Sequence, residues 1–564
     1  MDRSPHDDQV GRGAPNRSDP AAHELAAVLA VAAILAVALT YPLAFKLGSV
    51  GRIDSDDGKF SIWNVAWVSR TLVADPWHVF DANIFYPHRG TLAYSEANLG
   101  AGALGVPAYW ATHNPYAAHN SAVLFAFMLS AIGTYYLVRY LTADRRAAAV
   151  SAICYAFCPH VFGRTAEIQL LMTFGLPFSM LAFHRLADRP SSGRGVALGV
   201  TMAAATYFCA YYGVFVLLMV GFSVVVTAAM RRSWRNAHYW TAIAIAAGTA
   251  IALILPLFEP YLALQQGKGF SRSIDDARPY SADWRTYVTS SAYAHLWIER
   301  VVREGREVAF PGFVATAFGV AGIVAGWRAG ARMRETVVLY CTVGALALWA
   351  SFGPGAGLYS ALYHTVPGFT LMRAPARFGL VVTFSLAILA GFGVHSLLAR
   401  VRQATLIAAM LAIVAVAELA EVLRWSDVPP VSPAYQKLAT LPRGPVIEMP
   451  FFWPEVGLFQ HSRYMLFSTW HWMPLVNGYS DYVPPDFLDS TLALRHFPSR
   501  DAFKILESKG ARYALFHRDK YNGSNWNDMI TRVEQFAPYL RQLSLDAPGT
   551  RHEVRLYEIV GFPP

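Results

Sequence analysis

Charge is what this sequence is shortest of. Asp, Glu, Lys and Arg make up 15% of its 564 residues and apolar types 54%, whereas roughly a quarter of a soluble domain is charged. A single water-soluble globule is thereby excluded. Cysteine is scarce too: Cys154, Cys158, Cys209 and Cys341 all fall in apolar segments, which leaves no disulfide framework for an exported region. Cys154 and Cys158 lie one helical turn apart, but two thiols without His or further Cys read as packing residues rather than metal ligands. There is no glycine-rich nucleotide loop and no visible inverted repeat of the kind that marks many secondary transporters. No cleavable signal peptide is evident, because the first apolar stretch follows a polar tail and runs a full spanning length.

What is present is a series of apolar runs near the ~20 residues a spanning helix needs. They fall at 24–46, 118–139, 143–160, 168–187, 194–210, 211–229, 239–260, 309–327, 335–352, 376–397 and 404–423. The chain therefore reads as an α-helical polytopic membrane protein with about eleven transmembrane helices. Every second short loop is basic: Arg139, Arg145 and Arg146, then Arg185, Arg189 and Arg194, then Arg231, Arg232 and Arg235, then Arg328, Arg332 and Arg334, then Arg400 and Arg402. Basic short loops mark the cytoplasmic side. Residues 1–23, rich in Pro, Asp and Arg, form a disordered cytoplasmic tail on this reading, and the odd number of spans puts the C-terminal region outside an inner (cytoplasmic) membrane. The net charge of +9 belongs largely to those inner loops, so it speaks for topology and anionic lipid rather than for nucleic acid.

Within a membrane domain at 24–423, two exported loops are long, 47–117 and 261–308, and an exported region follows at 424–564. The first loop is rich in aromatics and suits short interfacial helices with Trp and Tyr at headgroup depth. The third region reads as a soluble α/β domain, with strand-like runs at 446–449, 513–517 and 554–560 and a helix-like run at 500–509.

Chemistry concentrates at an acidic cluster, Asp54, Asp56 and Asp57, six residues before Trp63 at its near end and followed by Trp67. An acidic triplet in an exposed loop needs no function, but carboxylates held at a membrane face suit a general base or a divalent cation site. Glu96 supplies a second acid in Thr91-Leu92-Ala93-Tyr94-Ser95-Glu96. On the exported side, Arg373 and Arg377 flank Pro375 where positive charge is otherwise rare; guanidinium groups grip phosphate oxygens in pairs, or else snorkel to headgroups. His88 and Arg89 offer a weaker version of the same role. His160, Arg164, Glu167 and Gln169 cluster in one loop and Tyr211 sits in an aromatic run, candidates for sugar contacts beside a simpler reading as helix-end polarity and aromatic belt. His461, His471 and their Trp neighbours match no firm zinc spacing.

Asp57 with Trp63 and Trp67, Phe80-Asp81-Ala82-Asn83-Ile84-Phe85-Tyr86-Pro87-His88, Arg373-Ala374-Pro375-Ala376-Arg377-Phe378 and Asn477-Gly478-Tyr479-Ser480 together resemble the polyprenol-dependent C-type (GT-C) membrane glycosyltransferase superfamily. The likeness is to a bacterial branch similar to protein O-mannosyltransferase and aminoarabinose transferase-like proteins. The resemblance implies transfer of a sugar from a polyprenyl-phosphate donor to an exported acceptor, with a first-loop carboxylate as base. Asp57 carries over best. The branch commonly reads Gly-Asp where this chain reads Asp56-Asp57, so both neighbours stand as candidates, with Glu96 as second carboxylate or metal partner. Members with and without a metal are both implied, so Mg or Mn held by Asp57 and Glu96 stays open. The competing readings are a transporter or flippase of lipid-linked glycans and a non-catalytic scaffold of a polysaccharide assembly complex.

Overall fold

Hydropathy sets the membrane block, and polar side chains set where each helix stops. The computed structural model describes residues 20–268, 273–302, 307–366 and 368–564. In chain order its main helices up to residue 419 are α1 (Pro20–Leu39), α2 (Asp56–Ala74), α3 (Leu99–Thr112), α4 (Pro115–Thr142), α5 (Arg145–Ala156), α6 (Gly175–Asp188), α7 (Ser192–Phe208), α8 (Ala210–Met230), α9 (Ala237–Lys268), α10 (Phe313–Arg328), α11 (Ala331–Ser351), α12 (Gly379–Leu398) and α13 (Ala404–Leu419). Seven spans among the described residues are long and apolar enough to cross a membrane. The chain is an integral multi-pass membrane protein.

All eleven apolar segments are helical, but α5, α7, α10 and α13 have 12, 17, 16 and 16 residues, short of the ~20 that cross a bilayer squarely, and α6, of 14 residues, reaches that length only together with the helical turn at Ile168–Leu171. Segment 143–160 is cut at both ends. Asp144 caps α5 by accepting the N–H groups of Arg146 and Ala147 at 2.9 and 3.4 Å, and Pro159 forces Cys158 into an extended conformation. Helix α9 does the opposite, running through Pro256 and Pro260 to Lys268, well past 260. Helix α1 begins at Pro20, which takes residues 20–23 from the expected tail; residues 1–19 lie outside the described residues.

The basic loops gather at one end of the block. Glu24 of α1 accepts from Tyr135 at 2.7 Å and Arg139 at 3.1 Å and also pairs with Arg145. Asp188 accepts from Tyr140 at 2.7 Å and Arg231 at 3.0 Å and pairs with Arg332, while Arg231 reaches Glu335 at 2.8 Å. The acidic cluster and the C-terminal region meet at the other end.

That region holds a four-stranded sheet of β3 (Val446–Met449), β4 (Tyr513–His517), β5 (Leu540–Asp546) and β6 (Val554–Ile559), ordered β3-β4-β6-β5. It follows a two-residue ladder between β1 (Val50–Gly51) and β2 (Ser426–Asp427). Strands β3 and β4 are parallel and the other neighbours antiparallel. Its helices include α14 (Ser462–Ser468) and, later, α15 (Arg500–Ser508). Strand β5 escaped the sequence because it is an outer strand that breaks up its leucines with Arg541, Gln542 and Ser544 and has a register shift between Gln542 and Ser544; no apolar run announces it.

The loop 47–117 is built into this region. The Leu475 N–H donates to Asn83 at 2.7 Å, Phe85 N–H to Asn477 at 3.0 Å and Tyr86 N–H to Leu475 at 2.8 Å, while Val446 and Val476 bond on the other edge of the same segment. The Asn83 amide accepts from the Trp63 indole at 3.1 Å and donates to Ser468 Oγ and the Met473 carbonyl, each at 3.0 Å. Trp63 and Trp67 therefore depart from the interfacial reading. Both are buried in protein, and the Trp67 indole donates to the Val79 carbonyl at 2.8 Å, because an indole N–H held inside a fold needs an acceptor there. Trp77, 92% exposed, remains on the outside. Asn83→Ala strips partners from several buried groups at about 1–3 kcal/mol each; thermal unfolding in detergent will show a clear fall in Tm for Asn83→Ala and a smaller change for Trp77→Ala.

Candidate active site

The first turn of α2 presents Asp57. Ser55 caps the helix by accepting the Gly58 N–H at 3.1 Å, and two acids in that turn suit the positive end of the helix dipole. The chain doubles back so tightly here that a Cβ on Gly58 would lie 1.7 Å from the Arg52 carbonyl oxygen. Arg52 is itself held by Asp54, at 3.0 Å, and Thr165. Among the described residues the Asp57 carboxylate has no hydrogen-bond or ion-pair partner. Asp56 is engaged by Lys59 at 3.0 Å and Ser462 Oγ at 2.9 Å and faces away from the cavity that Asp57 enters.

That cavity measures about 690 Å³ and is also lined by Phe60, Glu96, Glu167, Gln169, Tyr211, Arg373, Arg377, Tyr479 and Asp481. Leu217 of α8 with Ile251 and Leu255 of α9 form an apolar wall, and each is more than half exposed at 51, 65 and 59%. The cavity is thus polar at the acidic end and opens between helices toward lipid.

Its cations are held from behind. The Tyr211 hydroxyl accepts the backbone N–H groups of Arg373 and Ala374 at 2.7 and 2.8 Å, and its ring lies under the Arg377 guanidinium at 4.5 Å. Tyr211 fixes both arginines, so its oxygen is already taken. Arg377 Nε is buried with no hydrogen-bond partner, and among the described residues Arg377 forms no ion pair. Arg373 lies 3.5 Å from Asp481 and over the Tyr280 ring at 5.5 Å.

Glu96 is suspended between elements. Tyr261, on the extension of α9, donates its hydroxyl to the Ser95 carbonyl and accepts the Ala97 N–H, both at 3.0 Å. Glu96 Oε1 then accepts the Ala210 N–H at 2.8 Å at the start of α8. Burial pushes the Glu96 carboxyl up to about 7, against the Ala210 hydrogen bond and the Arg377 charge, which lower it. Burial also raises Asp57, helped by the carboxylates of Glu167, Asp481 and Asp56 and opposed by Arg373.

Asp57, Glu96, Glu167, Gln169, Tyr211, Arg373 and Arg377 thus converge on one cavity. Arg164, tied to Glu167 at 2.9 Å and to Glu307, supports that wall from outside the lining. His88 bonds Asp486 at 3.0 Å and Arg89 is exposed, neither lining the cavity. Asp481, which also accepts from Ser95 Oγ at 3.0 Å, was missed although it directly follows Asn477-Gly478-Tyr479-Ser480; an acid beside that run was the available signal. Among the described residues no three His, Cys, Asp or Glu side chains gather as a metal site. One Glu96 oxygen is taken by the Ala210 N–H; with its other oxygen, Glu96 and Asp57 are the groups that would hold Mg or Mn, which commonly takes one or two carboxylates beside a phosphate.

No family model matches the sequence, and no curated protein matches it. Solved structures do. Arabinofuranosyltransferase AftD from Mycobacteria superposes with a TM-score of 0.58 at 13% identity, over 96% of this chain and 40% of that one. ArnT from Cupriavidus metallidurans, in the apo state, superposes with a TM-score of 0.50 at 13% identity, over 97% of this chain and 100% of that one. The chain spans well under half the length of AftD. At this identity the likeness establishes fold: the chain shares its architecture with AftD and ArnT.

A carboxyl whose pKa is higher in the folded than in the unfolded chain stabilises the fold below its ordinary value of 4.5 and loses that contribution as pH rises through about 7. The Tm of the wild type will therefore fall more steeply than that of Glu96→Gln as pH climbs through neutrality, measured by thermal scans in one detergent.

Proposed function

We propose that the protein is a membrane glycosyltransferase that takes a sugar from a polyprenyl-phosphate donor and passes it to an exported acceptor. One observation carries this reading: one cavity, open between helices, holds a carboxylate, Asp57, and a buried guanidinium, Arg377, neither of which has an ion-pair partner among the described residues. A charge left without a partner in a recess is costly unless a ligand completes it. The shared architecture with AftD, whose name describes arabinofuranosyl transfer, supports the same general kind of reaction.

In this reading the donor's isoprenoid chain lies against Leu217, Ile251 and Leu255, and its phosphate meets Arg373 and Arg377. Asp57 accepts the proton of the acceptor hydroxyl as that oxygen bonds to the anomeric carbon. The bond from that carbon to the phosphate oxygen breaks, its electron pair stays on the phosphate, and the two guanidinium groups stabilise the growing negative charge. Glu96, held near neutral by burial, lies beside Arg377 without neutralising it fully at pH 7. The basic loops supply the sidedness, since basic short loops face the cytoplasm; the cavity and the 424–564 region then face the periplasm or exterior of an inner membrane.

Reconstituted protein offered a panel of polyprenyl-phosphate sugars and cell-envelope extract will release polyprenyl phosphate. Asp57→Asn will lower turnover by about 10²–10⁴-fold, and because Asp57 must be ionised, turnover by the wild type will rise with pH through a value higher than an ordinary aspartate's 3.8. Asp56→Asn will keep most activity. Full turnover by folded Asp57→Asn removes the base assignment, and no release from any donor removes the transferase reading.

A further inference from the structure

A second cavity, of about 430 Å³, lies on the other side of the first turn of α2. Consecutive helical residues project about 100° apart around the axis, so the turn that sends Asp57 into the first cavity sends Asp56 and Lys59 to the second. Three cations line the second cavity, Lys59, Arg463 and Lys520, against one carboxylate, Asp56. Lys59 is paired with Asp56 at 3.0 Å, and Arg463 with Asp519 at 2.5 Å from behind. Lys520 is exposed and has no ion pair or hydrogen bond among the described residues. Although its side chain reaches solvent, partial desolvation and then the Arg463 charge hold its ammonium below the ordinary lysine value; Asp519 opposes this, Lys59 adds to it and Asp56 opposes it again.

The remaining walls suit a sugar. Phe459 is 45% exposed at the cavity and offers an apolar face for a pyranose ring. Tyr116 also lines the cavity, and its hydroxyl has no hydrogen-bond partner among the described residues. Gln460 adds an amide. An anionic group set between Lys520, Lys59 and Arg463 relieves their repulsion, while the ring attached to it covers Phe459.

We propose that this second cavity is a binding site for an anionic saccharide, a sugar unit bearing a carboxylate or a phosphate. The proposal deepens the transferase reading and rests on it for its role: the site grips an acidic unit of the acceptor glycan while another part of that acceptor reaches Asp57 over the shared turn of α2. The binding chemistry itself is independent of turnover.

The test uses the full chain in detergent at low salt with Arg377→Gln, which removes the unpaired cation of the first cavity. Binding of glucuronate, glucose 1-phosphate and glucose is followed by ligand-observed NMR. Either or both of the charged sugars will bind and glucose will not, which also tells carboxylate from phosphate. Adding Lys520→Ala will weaken that binding at least tenfold and Lys520→Arg will restore most of it. Equal binding of glucose, or binding of charged sugars unchanged by Lys520→Ala, overturns the proposal. Turnover of lipid-linked donors by the otherwise wild-type protein is scored separately. A protein that binds acidic sugars through Lys520 but turns over no donor keeps this site and loses the transferase reading, and the reverse result loses only the site.

Discussion

The Asn83 carboxamide is the contact on which the functional end of the molecule depends. It accepts a hydrogen bond from the Trp63 indole of α2 and donates two to the segment before Asn477, so the helix carrying Asp57 and the turn carrying Tyr479 and Asp481 share one buried junction. Backbone bonds from Phe85, Tyr86 and Leu475 run alongside it. Since unpaired polar groups inside a fold are costly, these elements hold together or not at all. The cavity between them inherits its shape from that constraint, and the membrane helices supply its floor.

Within the cavity the charges are sorted. Asp57, Glu167 and Asp481 stand close enough to raise the proton affinity of Asp57, while Arg377 lies on the Tyr211 ring without a counter-ion among the described residues. Tyr211 gives this sorting its rigidity. Its oxygen holds the Arg373 and Ala374 backbone and its ring holds the Arg377 side chain, so two guanidinium groups are fixed by one residue that need not touch substrate. Tyr261 does the same for the strand of chain around Glu96.

The helices were legible because lipid demands long apolar runs, and the acidic and arginine candidates were legible because charge is rare outside the basic short loops. Where sequence reasoning went astray, a local polar contact had overridden composition. Asp144 and Pro159 cut one apolar run to 12 residues, and α9 ran past its prolines to bring Tyr261 to the Glu96 segment. Trp63 and Trp67 look like an interfacial belt in one dimension, because their acceptors, Asn83 and the Val79 carbonyl, are brought to them only by folding. Asp481 was hidden for a similar reason: its neighbours Ser95 and Arg373 are far away in the chain. Asp56 and Asp57 could not be told apart by sequence, since their difference lies in which side of a helical turn each occupies.

The junction at Asn83 also sets a schedule for the newborn chain. Its partner at Met473 lies 390 residues downstream, which at about 5–20 residues per second is roughly 20–80 s of synthesis. Throughout that interval the loop 47–117 has Trp63 and Trp67 without their final cover, and the cavity that Asp57 enters lacks its roof. The whole membrane block must be inserted before the last wall arrives, so a stalled or truncated chain is left with an exposed aromatic face and no assembled site.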